Sequence, residues 1–318
     1  MIVAIAVGRS QSALPSYLKA RARRSMKPAS FEYARPADLD QACAMLAAGD
    51  DARIIAGGQT LVPLMAMRLA RPKRLIDIAR ISDLAFVRQE REGIAIGATT
   101  RQCVLERDAV VRAAVPLLAK VMPFVGHAAI RSRGTVGGSL ANADPAAEIA
   151  LVAVTLGATF TYRQGAASAE MPASEFFVGP MMTALPATAC LTAVRFPRWR
   201  DARIGVGFHE VSARRSDFAF ASAAAQVALD DDGVCRRLVL GVGAVTACPM
   251  RLDTVAKALE GRRVEAAVAR EAVRAALADI EPLSDLHASA DYRRRAAASL
   301  AVRAIADACR NAEAAHAR

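Results

Sequence analysis

Six cysteines, Cys43, Cys103, Cys190, Cys235, Cys248 and Cys309, stand singly along 318 residues, with no C-x2-C pair among them. That spacing excludes a zinc ribbon, an iron–sulfur ligand set and a disulfide framework within the chain. Aromatic residues are only 5%, with one tryptophan, so little is available for stacking bases along a nucleic acid. Acids are also short, at 31 Asp and Glu against 42 Lys and Arg, for a net charge of +11. A basic nucleic-acid-binding module is therefore one reading. It is weakened because Arg9, Lys19, Arg21, Arg23 and Arg24 are concentrated in the first 25 residues, while the remaining excess is spread without a dense run. Neither G-x-G-x-x-G after a strand nor G-x-x-x-x-G-K-[ST] occurs, which removes the usual dinucleotide and nucleoside-triphosphate loops. Long apolar runs are missing too. The opening MIVAIAVG is too short to span a membrane, and its charges follow it rather than precede it, so neither a membrane span nor a secretory signal is expected.

What is present is a hydrophobic content of 54% and two glycine-paired turns about 80 residues apart. The first is Ile54-Ile55-Ala56-Gly57-Gly58-Gln59-Thr60-Leu61. The second is Thr135-Val136-Gly137-Gly138-Ser139, continuing through Asp144 and Pro145 to Glu148. Paired glycines let backbone approach a ligand closely, and successive N–H groups in such loops form a concave cradle for anionic oxygens. Two short apolar runs, each ending in Gly-Gly with hydroxyl residues at the rim, point to two loops converging on one extended diphosphate. Asp144 is expected to cap a helix opened by Pro145, with Glu148 about one turn in, placed to accept hydrogen bonds from a ribose.

The pair AGGQTL and TVGGSLANADPAAE resembles the FAD-binding medium subunit of the molybdenum hydroxylases, the carbon monoxide dehydrogenase and xanthine dehydrogenase group. The likeness runs over about residues 26–310. It includes the opening F-x-Y-x-x-P-x-x-L-x-x-A-x-x-L from Phe31, and a later F-x-E-x-x-x-R-x-x-D-F-A at Phe208, Glu210, Arg214, Asp217, Phe218 and Ala219. The resemblance implies an α+β fold: a two-subdomain FAD-binding domain of the PCMH (vanillyl-alcohol-oxidase-like) type, then a C-terminal α+β domain of the carbon monoxide dehydrogenase flavoprotein type. It further implies that Leu191 approaches the flavin and that His209 occupies a flavin-side position.

Along the chain, residues 1–25 are expected to be a disordered or misassigned extension. Residues 26–200 form the FAD-binding domain, with subdomains at about 26–80 and 81–200, and 201–318 form the C-terminal domain. Periodicity predicts a short strand from Phe31, a break at Pro36, and a helix with Leu39, Ala42, Cys43 and Leu46 on one face. A short helix is expected within 61–71, strands over 75–81 and 93–100, and one long helix over about 101–122 with Val104, Val111, Val115, Leu118 and Met122 in the core. The helix after Glu148 runs through Leu156. Strands at ATFTYR and 189–197 flank an irregular EFFVGPMM, and His127, Arg131 and Arg133 lie in a loop before the second glycine turn. Three strands follow Arg203, the last two joined at Asp231-Asp232-Gly233, and then three alanine-rich helices broken at Gly261 and Pro282.

The resemblance implies electron transfer. Substrate would be hydroxylated at a molybdenum cofactor in a large subunit, electrons would cross two [2Fe-2S] clusters in an iron-sulfur small subunit, and FAD in this chain would pass them to an acceptor. The assembly would be a dimer of heterotrimers in the cytoplasm, with no nucleic acid and no metal bound by this chain. The alternative from another class is a self-sufficient FAD-dependent oxidase or reductase, for which no Ser, Tyr or His constellation is evident.

Overall fold

A computed structural model describes residues 26–49 and 51–316, so the reading of residues 1–25 lies outside the described residues. Three sheets organise the chain. The first is a parallel βαβαβ unit. Strand β1 (Glu32–Ala34) leads through α1 (Leu39–Ala47) to β2 (Ala52–Ile55), and then through α2 (Leu61–Ala66) to β3 (Arg74–Asp77), which lies between the other two. Asp38 caps α1 by accepting from the Gln41 N–H at 2.9 Å, and Ala42, Cys43 and Leu46 bury its apolar face. Parallel strands leave their carboxyl ends on one edge, and the chain leaving β2 there is the first glycine turn.

The second sheet takes β4 (Val87–Gln89), β5 (Gly93–Gly97), β6 (Thr159–Gln164), β7 (Ala167–Pro172) and β10 (Ala189–Pro197) in the antiparallel order β4-β5-β10-β6-β7. Between β5 and β6 run the helices α3 (Gln102–Arg107), α4 (Ala109–Ala114), α5 (Pro116–Val121), α6 (Ala128–Arg133), α7 (Val136–Asn142) and α8 (Glu148–Leu156). After β7 come the single turn α9 (Ala173–Phe176) and a small hairpin, β8 (Phe177–Gly179) with β9 (Met182–Thr183), where an irregular stretch was expected.

The expected long helix over 101–122 is instead three short ones. Asp108 turns extended and its carboxylate accepts from the Val110 and Val111 N–H groups at 2.7 and 3.0 Å, which starts α4 afresh. Pro116, lacking an N–H, starts α5 in the same way. Val111, Val115, Leu118 and Met122 are buried as expected, but Val104 is 45% exposed and is not core. The strand expected over 75–81 stops at Asp77, whose side chain accepts from the Ala79 N–H at 2.9 Å and turns the chain.

The third sheet is an antiparallel meander of β11 (Arg203–Ser212), β12 (Ala219–Leu229), β13 (Cys235–Gly243) and β14 (Met250–Arg251). The helices α10 (Asp253–Leu259), α11 (Ala266–Ala276) and α12 (Ala290–His316) follow it. Strand periodicity divides its side chains between two cores. Ala221, Ala223, Ala225, Val227 and Leu229 pack with α10 to α12, while Ala224, Ala228, Val239 and Phe208 pack with α5, α8 and the second sheet. Gly205 and Gly207 lie directly under α12. A Cβ on Gly207 would fall 2.0 Å from the Ala304 carbonyl oxygen, so helix and strand backbones meet with no side chain between them. Replacing Gly207 by alanine should destabilise the chain by about 1–3 kcal/mol, since neither backbone can yield cheaply. In urea this is a lower unfolding midpoint at unchanged slope, and an unaltered midpoint would disprove the close packing.

Candidate functional site

The two glycine turns meet. Gly57 lies against the chain that enters the second turn: a Cβ there would sit 2.6 Å from the Arg133 carbonyl oxygen and 2.8 Å from Gly134 Cα. The Arg101 guanidinium donates to the same Arg133 carbonyl, and a bridge between Arg101 and Thr135 holds the segment alongside. Behind it Arg131 is buried. It makes a two-pronged pair with Glu106 at 3.0 Å on both nitrogens and donates to the Val125 and Gly126 carbonyls at 3.2 and 2.7 Å. Of the polar residues expected in a loop at 127–134, His127 therefore begins a helix, and Arg131 fixes that helix in place.

The two turns do different jobs. Thr135 is the N-cap of α7 and accepts from the Gly138 N–H at 3.1 Å, so the glycine pair lies inside a helix rather than ahead of one. Val136 N–H donates to Thr100 O at 3.0 Å, Gly137 N–H to Ala98 O at 2.8 Å, and Ser139 N–H to Thr135 O at 3.1 Å. All four of these groups are thus used within the protein. In the first turn, none of the N–H groups of Gly57, Gly58, Gln59 and Thr60 donates to a protein acceptor among the described residues. Gly58 has φ of +71°, and the four residues are half-buried or exposed. Successive unpaired N–H groups at the carboxyl edge of a parallel sheet form an anion cradle. On the second turn, Gly138 and the Ser139 hydroxyl reach the surface, while Thr135, Val136 and Gly137 are buried as its floor. A Cβ on Gly137 would lie 2.5 Å from Ala98 Cβ, whereas one on Gly138 would meet only the Thr135 hydroxyl, at 2.6 Å.

Asp144 does not cap a helix opened by Pro145. Its carboxylate accepts from the Ala146 N–H at 2.9 Å within a turn, and α8 begins at Glu148 itself, which is its first residue rather than one turn in. Burial pushes the Glu148 carboxyl up to about 8, offset in part by its own N–H, with Glu210 and Asp144 raising it further by repulsion. Burial likewise raises Asp144, and it lifts Glu210 to about 7.

Leu191 is 6% exposed in β10, at a bulge between Leu191 and Ala193. Thr192 there accepts from Ala98 N–H at 2.8 Å, so Leu191 borders the floor of the second turn. Ile54, Ile55 and Ala56 carry the first turn on β2 and its exit, and Leu61 begins α2. His209 is not brought to this cluster. It shares the β11 face of Gly205 and Gly207, towards α12, and its Nε2 is 2.9 Å from the Asp307 carboxylate. Its neighbour Glu210 faces the other way, towards Glu148. The signal for this lay in the sequence: glycines at alternate positions 205 and 207 mark the face that a helix covers, and 208 and 210 fall opposite.

Comparison with known proteins bears on these loops. Residues 29–199 match the family model described as the FAD binding domain in molybdopterin dehydrogenase, and residues 207–308 match the CO dehydrogenase flavoprotein C-terminal domain. The chain is 35% identical to the 6-hydroxypseudooxynicotine dehydrogenase complex subunit alpha of Paenarthrobacter nicotinovorans, covering 90% of this chain and 97% of that protein. Among solved structures it is similar to quinoline 2-oxidoreductase from Pseudomonas putida 86, at 35% identity and TM-score 0.85, over 90% of this chain and 99% of that one. It is also similar to carbon monoxide dehydrogenase from Hydrogenophaga pseudoflava, at 31% identity and TM-score 0.85, over 89% and 99% respectively.

The residues present fit an extended dinucleotide, since the first turn keeps N–H groups without a protein acceptor among the described residues and the second turn, packed against it, keeps a partly exposed hydroxyl at Ser139. Because Gly57 meets backbone and Gly138 meets a single hydroxyl, substitution should rank them differently. Gly57→Ala should weaken FAD binding at least about tenfold, corresponding to some 1.4 kcal/mol. Gly138→Ala should cost no more than the Thr135 cap, about 0.5–2 kcal/mol of stability, and keep its FAD. Flavin content after gel filtration decides; a flavin-replete Gly57→Ala beside a flavin-free Gly138→Ala would refute the division of labour.

Proposed function

Because the chain belongs to the FAD-binding subunits of the molybdopterin dehydrogenases, and so is an FAD-dependent oxidoreductase subunit, we propose that it takes electrons from an iron-sulfur small subunit and passes them to an acceptor. Those electrons would originate at a molybdenum cofactor in a large subunit, in a dimer of heterotrimers in the cytoplasm. The observation that carries this reading is the row of unpaired N–H groups from Gly57 to Thr60, set against the Gly134 crossing. The six cysteines are all free and scattered, which supports the iron–sulfur clusters lying in another polypeptide.

When bound, FAD supplies reversible redox chemistry that joins two-electron donors or acceptors to one-electron carriers. This chain's residues bind and orient it. The N–H groups of Gly57, Gly58, Gln59 and Thr60 would donate to the diphosphate, and the Ser139 hydroxyl would add a donor from the facing helix. Glu148 would accept from ribose hydroxyls, and Leu191 would offer an apolar surface to the ring system. Gly137 holds the floor by close packing on Ala98, and Thr135 and Val136 complete it. No helix among the described residues is long and apolar enough to cross a membrane.

Above the raised Glu148 value of about 8, where the carboxylate is ionised, Glu148→Ala should weaken FAD binding about tenfold to a hundredfold, from loss of a charged acceptor worth about 1.5–3 kcal/mol. An unchanged dissociation constant by calorimetry would reassign Glu148 to the helix terminus alone. The purified chain should bind FAD and be reduced by dithionite, yet oxidise no purine, N-heterocycle, aldehyde or carbon monoxide until iron-sulfur and molybdenum subunits are added. Turnover by the single chain would replace this reading with a self-sufficient flavoenzyme.

A further inference from the structure

Glu148 and Glu210 come from different domains, and neither carboxyl group has a cationic partner among the described residues. Glu148 opens α8 in the FAD-binding domain, whereas Glu210 projects from β11 of the C-terminal domain, on the strand face opposite His209. The seam there is closed. Ala244 N–H donates to Pro145 O at 2.7 Å, and Phe208, two residues from Glu210 on the same face, packs edge-on against Phe124 with ring centres 4.9 Å apart. One carboxylate oxygen of Glu210, Oε2, is buried without a hydrogen-bond partner.

The charged groups gathered at this point are Glu148 on α8, Asp144 on the turn before it, and Glu210 on β11. Ser222, opposite Glu210 on β12, is neutral. None of the three carboxyl groups pairs with an arginine, lysine or histidine among the described residues. Nor do they form a metal site, because no group of three or more His, Cys, Asp and Glu among the described residues is arranged to hold one. Carboxylates confined together in a water-poor seam cannot all ionise without penalty, so the charge on one sets the proton affinity of the other.

We propose that Glu210 is a positioning residue for Glu148: standing across the domain seam, it sets the charge that Glu148 presents to the hydroxyl groups of the cofactor. This rests on the reading that Glu148 holds the ribose of FAD. Burial already holds the Glu148 proton to high pH, and an ionised Glu210 across the seam holds it higher still, so Glu148 becomes a charged acceptor only in alkaline solution. The C-terminal domain thereby moves, to higher pH, the range over which the FAD site reaches full strength.

The sign of the stability effect follows from linkage. Both carboxyl groups hold protons in the folded chain that the unfolded chain has released, so the folded state binds more protons between the ordinary carboxylate value and the folded values of about 7 for Glu210 and about 8 for Glu148. Stability then falls as pH rises through that window and levels off above it. Removing the charge at 210 should flatten the fall.

Two measurements on the full chain test the proposal with Glu210→Gln, and with Glu210→Asp as the charge-conserving control. In the first, urea unfolding of the FAD-free protein is followed over about pH 5 to 9. The Gln variant should lose less stability with rising pH than the parent, and the Asp variant should follow the parent. In the second, the midpoint of the pH dependence of FAD affinity should move to lower pH by about one unit in the Gln variant alone. Parallel stability profiles for parent and Gln variant would overturn the coupling, as would an unmoved FAD midpoint in a variant that binds FAD normally. If no variant and no parent binds FAD at any pH, the FAD reading fails, and the coupling is decided by adding urea profiles of Glu148→Gln and of the Glu148→Gln/Glu210→Gln double variant, where strictly additive changes would overturn it.

Discussion

The crossing of Gly57 over the Arg133–Gly134 backbone is the contact on which the site depends. With 2.6 Å between a would-be Cβ and a carbonyl oxygen, only glycine allows β2 to deliver its exit turn onto the segment that starts α7. That contact joins the parallel first sheet to the antiparallel second one. It also explains why two glycine pairs of similar appearance act differently. The second pair is consumed in building helix and floor, through Ala98, Thr100 and the Thr135 cap, and the first is left with N–H groups facing outward. Arg131, buried and fully engaged, supports the crossing from behind.

The C-terminal layer reaches the same region through the third sheet, whose β12 is buried on both faces and so consists almost wholly of small residues. One face seats α12 at backbone contact on Gly205 and Gly207. The other presents Phe208 and Glu210 to the FAD-binding domain. A carboxylate at that seam is costly to bury without a cation. In the proposed reading, its presence across the seam from Glu148 makes the electrostatics of the cofactor region a property of two domains rather than one.

Much of this was legible in the sequence because the decisive features are local. Glycine pairs after apolar runs announced both turns, helical spacing at Leu39, Ala42, Cys43 and Leu46 announced α1, and Asp231-Asp232-Gly233 announced the β12–β13 hairpin. Of the strands not anticipated, β8, β9 and β14 are only two or three residues long, and β4 and β7 are the two edges of the second sheet, where VRQ and ASAEMP are largely exposed and show no clean alternation. The helix over 101–122 was overextended because apolar periodicity continues across Asp108 and Pro116, while capping by Asp108 is a local competitor that periodicity does not register. His209 turns away from the glycine turns because of the strand face it occupies. That face is set by which side of β11 a distant helix comes to cover, with Asp307 lying 98 residues after His209.

Amide hydrogen exchange with and without FAD tests the central claim most directly, since it reads each turn's N–H groups separately. The amides of Gly57 to Thr60 should exchange rapidly in the FAD-free chain and become protected when FAD binds. Those of Val136 to Ser139, already bonded within the protein, should be protected in both states. Protection gained at 136–139 with no change at 57–60 would contradict the account.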